Sequence, residues 1–156
     1  MADENVIVTE LDNGTIEALN EEEQKGVNLL SISEKDTPKQ IVEKIMGFVD
    51  DILSANKKKD ELEELAITFG ATWGKMVEKE YNWAWKNIDF GDGNAQLFLL
   101  SPREYYCCNP IFFMNKILQR KNIGLDGNND NTVLLLFNMI DGIEKQKPSK
   151  KYQVIS

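Results

Sequence analysis

The 156 residues carry 18 basic and 26 acidic side chains, a formal net charge of −8, two cysteines and no histidine. The missing histidine removes the commonest general base, the Ser-His and Cys-His nucleophile pairs and the commonest transition-metal ligand. The longest apolar run, residues 132 to 140, is far short of the roughly 20 residues that span a bilayer, so neither a membrane span nor a cofactor or metal is expected.

Charge is unevenly distributed. The segment from Met1 to Thr37 holds ten acidic residues against two lysines, and the rest of the chain carries sixteen of each sign. Nucleic-acid binding needs basic groups to neutralise phosphate, and only the short run Lys145, Lys147, Lys150 and Lys151 offers an excess, so nucleic acid is not an expected partner. The start MADENVIVTELDNGT has acids where a secretory signal needs basic residues, which makes a cytosolic location the expectation.

In chain order, residues 1–36 read as an acidic, mobile leader, with a short helix from Thr15 to Gln24 and an extended Val6-Ile7-Val8 that could join a sheet edge. A single folded domain is expected over residues 37–145. Thr37-Pro38-Lys39-Gln40 combines a cap, a proline at the first helical position and a capping-box glutamine. The helix it opens carries Ile41, Ile45, Phe48, Val49, Ile52 and Leu53 at helical spacing and ends near Asn56. Asp60 with Glu63 reads as a second capping box, opening a helix striped by Leu62, Leu65, Ala66, Phe69, Trp73, Met76 and Val77. With only a short lysine linker between them, the two helices should be antiparallel. Gly70 and Gly74 lie four apart on one face of the second helix, where they would let another element approach closely.

After Tyr81 the period becomes that of a strand. NWAWKNIDF, the turn cluster Gly91-Asp92-Gly93-Asn94 and AQLFLLS predict a hairpin. Pro102-Arg103-Glu104 then turns into a third strand, Tyr105-Tyr106-Cys107-Cys108. Asn109-Pro110 starts a helix with Ile111, Met114, Ile117 and Leu118 inward, and Asp130 or Asn131 caps another from Thr132 to about Glu144. The predicted layout is α+β in the order ααβββαα: two antiparallel helices, a three-stranded antiparallel meander and two more helices. Residues 146–156 read as a basic flexible tail.

Few motifs carry chemistry. Asp126-Gly127-Asn128-Asn129-Asp130 begins like a calcium loop, but Asn131 stands where the loop needs glycine and Phe137 where it needs a bidentate glutamate, so a helix-capping loop is the better reading. Gly91-Asp92-Gly93-Asn94 lacks the Lys-Ser/Thr of a phosphate loop. Adjacent Cys107 and Cys108 could pair only with strain, and packed thiols are expected over nucleophiles, with Arg103 and Lys116 as the only nearby cations. Among the carboxylates, Glu78, Glu80, Asp89 and Glu104 lie near the aromatic strand with nothing to fix their separation, and no catalytic residue is assigned. The densest unusual feature is aromatic. As a strand, Tyr81, Trp83 and Trp85 would share one face, with Tyr105 adjacent on the meander, either filling the core or presenting a binding patch.

From Leu65 to Leu118, the signals LAITFGATWGKMV, YNWAWKN, a turn, LFLLSP, a tyrosine-containing strand and NPIFFMNKIL are similar to a loose group of small bacterial domains of unknown function. Some of these neighbour toxin genes and are regarded as immunity proteins. The resemblance spans about a third of the chain and implies a fold but no active-site residue, and the acidic leader has no counterpart in it. The function expected is a non-enzymatic, cytosolic protein-binding module, an inhibitor or immunity protein using the aromatic face. The alternative is a small-molecule binder or carboxylate-dependent hydrolase with a pocket along the aromatic hairpin.

Overall fold

The computed structural model describes residues 5–55, 57–119 and 132–155. The calcium-like loop and the Asp130/Asn131 cap lie outside these residues. The elements are β1 (Ile7–Thr9), α1 (Asn13–Leu30), α2 (Pro38–Ser54), α3 (Lys59–Tyr81), β2 (Ala84–Asp89), β3 (Gln96–Leu100), β4 (Tyr106–Cys108), α4 (Pro110–Leu118), α5 (Val133–Glu144) and β5 (Gln153–Val154).

The class is α+β, and the layout corrects the predicted ααβββαα. The expected leader holds β1 and the 18-residue α1, the expected tail holds β5, and the sheet has five strands in the order β1-β2-β3-β4-β5. The added pairings account for the difference. β1 is antiparallel to β2, with Val8 opposite Ile88, and β5 is parallel to β4, with Val154 opposite Cys107. The extended Val6-Ile7-Val8 does join the sheet edge, with Ile7 and Val8 in β1, and both added strands exist because a partner strand supplies their hydrogen bonds.

Local signals set the element ends. Thr37 Oγ1 accepts from Gln40 N at 3.2 Å while Gln40 Oε1 accepts from Thr37 N at 2.9 Å, which completes the capping box of α2. Asn109 caps α4 through Phe112 N at 3.0 Å, with Pro110 in its first turn. Asp60 is not a cap: Lys58 precedes α3 with no side-chain cap, and Asp60 lies in the first turn, where its charge suits the helix dipole. The β2–β3 turn forms because Asp89 Oδ1 accepts from Gly91 N at 2.8 Å and Gly93 N at 3.2 Å. Both glycines have positive φ, 106° and 81°, a region other residues enter with strain.

The main core lies between the helices and one face of the sheet. α2 contributes Ile41, Val42, Ile45, Val49 and Ile52, α3 contributes Phe69, Trp73, Met76 and Val77, and the sheet side adds Trp83, Leu99 and Cys108. α3 is the hub. Gly70 meets α4 so closely that an added Cβ would lie 2.7 Å from Ile111 Cα. Gln119 Nε2 donates to Lys59 O at 3.0 Å, tying the end of α4 to the start of α3. On its other side α1 crosses at Gly26, where a Cβ would stand 2.0 Å from Thr72 Oγ1. The second sheet face has its own small core, Ile88, Phe98, Leu100 and Cys107, packed against Val6, Val8 and Tyr152. The two cysteines thus point to opposite faces, as neighbours in a strand must.

Candidate functional site

Tyr81 ends α3 and lies on no strand, which corrects its place on a strand face, whereas Trp83 and Trp85 both pack on the main core. α3 continues to Tyr81 and ends only when Asn82 turns left-handed, at φ 63°, so β2 starts at Ala84. Tyr81 Oη donates to Phe137 O at 2.8 Å. Trp83, 2% exposed, donates through Nε1 to Glu144 Oε1 at 2.5 Å. Trp85 and Tyr105 are half-buried against the main core. Helices therefore cover this side of the hairpin, and the aromatic side chains are dispersed among separate contacts.

Tyr105 borders one cavity of about 250 Å³, together with Arg103, Asp141, Glu144 and Lys145. Its charged groups already have partners. Arg103 lies 5.5 Å over the Tyr105 ring and donates to the Glu144 carbonyl, and Lys145 pairs with Asp141 at 3.2 Å. Burial pushes the Glu144 carboxyl up, and the indole bond from Trp83 offsets part of that.

Trp85 borders a second cavity, of about 240 Å³, where α1, α3 and β2 meet. Register brings the indole there: Trp85 pairs with Leu99 and Leu99 with Cys108, so Trp85 lies on the helix side of the sheet. Gly74 makes room for it, since a Cβ at that position would stand 2.3 Å from Trp85 Cζ2. Leu11, Ile16, Leu19 and Ala71 form the apolar part of the wall, and Glu10, Glu23, Glu78 and Lys75 the charged part.

Three carboxylates thus face one lysine. Glu10 pairs with Lys86 of β2, while Lys75 reaches Glu78 only at 3.9 Å. The Glu78 side chain is 29% exposed. Burial raises its pKa above the ordinary carboxylate value, Lys75 and Lys79 pull it down and Glu23 pushes it further up. Trp85 also differs from the other two indoles. Trp73 Nε1 donates to Val133 O at 3.0 Å and Trp83 Nε1 to Glu144, whereas Trp85 Nε1 makes no hydrogen bond among the described residues.

The chain matches no protein family, no curated protein and no solved structure. Chemistry alone therefore weighs the site. Burial pushes the Cys107 thiol up to about 12 and the Cys108 thiol higher still, so neither supplies a thiolate near neutral pH. Of the carboxylates near the aromatic strand, Asp89 caps the hairpin turn, Glu104 holds Lys151 at 3.2 Å, Glu80 is exposed and only Glu78 enters the Trp85 cavity. Among the described residues no group of three His, Cys, Asp or Glu could hold a metal, and no helix is long and apolar enough to cross a membrane.

The residues that sequence reasoning missed are Glu10, Glu23 and the α1 side chains Ile16 and Leu19. Their signal was present. Ile16, Leu19, Glu23, Gly26 and Leu30 recur at helical spacing, diluted by the glutamates between them.

Proposed function

We propose that this chain is a non-catalytic protein-binding module, of inhibitor or toxin-immunity type and acting in the cytosol, that docks a basic partner where α1, α3 and β2 meet. The observation that carries this reading is the Trp85 cavity. An indole at its wall stands beside Glu10, Glu23 and Glu78, two of which come from the acidic N-terminal segment. Tryptophan is enriched among the residues that dominate interface energies, and a ring of like charge speeds encounter with an oppositely charged partner and rejects others. The acidic segment then has a physical role, which is to surround the anchor with negative potential.

The test immobilises the full chain and exposes it to its native lysate at low and high salt, alongside Trp85→Ala and Tyr105→Ala variants checked for native circular dichroism. One basic protein should be retained by the wild type and by Tyr105→Ala at low salt and lost with Trp85→Ala. Equal retention by all three chains, or none by any, refutes the reading.

The same cavity supports a second reading, a small-molecule binder or a carboxylate-dependent hydrolase. The raised Glu78 carboxyl would be its acid. Turnover of a glycoside or ester panel that vanishes with Glu78→Gln would favour it over the first.

A further inference from the structure

We infer that the Trp85 cavity takes a single primary ammonium group, the side chain of a lysine on the docked partner. This rests on the protein-binding reading above and specifies the chemistry of its contact. The cavity, about 240 Å³, is smaller than the roughly 300–1,000 Å³ typical of drug-sized ligands, and so suits one side chain rather than a cofactor.

Its wall is divided in the way a lysine is. Leu11, Ile16 and Leu19 provide apolar surface for a methylene stem, and Glu23 and Glu78 provide anionic groups for its head. The indole of Trp85 adds a π surface, the preferred aromatic partner of a cation. An anion would meet three carboxylates, and a neutral ligand would leave the half-buried Glu78 with only the 3.9 Å contact from Lys75. Glu10 is engaged by Lys86, so Glu78 and Glu23 carry the recognition, with Lys75 as the internal competitor.

The test follows the Trp85 indole resonance of the full chain by ¹H–¹⁵N NMR during titration with n-butylammonium, with n-butanol as the uncharged control. A saturable shift with the ammonium and none with the alcohol is expected. Glu78→Gln should weaken binding about three- to fivefold, at the upper end of the range of partly exposed ion pairs, and Glu23→Gln less. Lys75→Met should strengthen it. Binding should tighten as pH rises through the ionisation of Glu78, in the presence of Glu10, Glu23, Lys75 and Lys79, and should weaken with salt.

An equal shift from butanol, or undiminished binding in both glutamine variants, overturns the inference. A short peptide with one lysine should bind at least about tenfold more tightly than butylammonium, while its norleucine counterpart should not bind. Equal affinity for peptide and amine overturns the assignment to a lysine side chain in favour of a free amine. Failure of this inference is distinguishable from failure of the reading beneath it. A Trp85-dependent protein partner with no ammonium binding sinks the inference alone, and ammonium binding with no partner sinks the protein-binding reading.

Discussion

Gly70→Ala and Gly47→Ala are the same chemical change at two helical sites, and the structure predicts opposite outcomes. At Gly70 the new Cβ would lie 2.7 Å from Ile111 Cα and 2.9 Å from Ile111 N. Both are backbone atoms of α4, so no side-chain rotation relieves the contact, and α3 and α4 must move apart. Overpacking of a filled core costs about 1–3 kcal/mol, and contact against a helix backbone belongs near about 3 in that range. Alanine returns about 1 kcal/mol of helix propensity, leaving a net loss of about 2 kcal/mol. In a chain of this size that lowers Tm by about 4–8 °C.

At Gly47, exposed on α2, nothing lies within 4 Å of the added Cβ. Only the propensity gain of about 1 kcal/mol remains, and Tm should rise by about 2–4 °C. Thermal and urea unfolding of both variants beside the wild type decide the matter. A Gly70→Ala variant as stable as Gly47→Ala would mean that α3 and α4 do not approach as described, and the account of the hub helix would fall with it.

Trp83→Ala should cost about 3–5 kcal/mol by urea unfolding, because it empties a buried site and leaves the Glu144 carboxyl without its indole donor; a loss below about 1 kcal/mol would refute its place in the core. Cys107 and Cys108 should resist iodoacetamide at pH 8 in the native protein and react only on unfolding, since burial keeps the Cys107 thiol protonated up to about 12. Rapid native labelling would contradict this. For Glu78, burial lifts the folded pKa above its ordinary 4.5, so folding favours the protonated form. Its contribution to stability therefore falls as pH rises from the unfolded value through the folded one. Glu78→Gln, which cannot ionise, should match or exceed the wild type in Tm at pH 7 and lose that advantage in acid. The opposite trend across a pH series would reverse the sign assigned here.

Much of this architecture was legible in the chain because it rests on neighbours three or four residues apart. Thr37 with Gln40, Asn109 with Phe112 and Asp89 with the following glycines each close a local ring of hydrogen bonds. Residue type alone is enough to recognise such rings. The α+β class followed from these signals together with the change of hydrophobic period between α3 and the hairpin. The end of the helix at Tyr81 was legible too, but counting Tyr81 onto a strand face with Trp83 and Trp85 failed for the converse reason. An aromatic run suits a strand, but the helix keeps its own hydrogen bonding until Asn82, and Tyr81 gains the Phe137 carbonyl of α5 by staying helical.

The placement of the acidic N-terminal segment was decided by tertiary structure alone. α1 is held where it is by Gly26 against Thr72 and by Thr68 Oγ1 donating to Glu22 Oε1 at 2.7 Å, contacts between residues 46 apart in the chain. β1 exists because β2 pairs with it. Only once both are in place do Glu10, Glu23 and Glu78 gather around Trp85. Composition alone showed a surplus of negative charge and a concentration of tryptophan. That the two meet at one cavity depends on which helix crosses which, and long-range packing decides that.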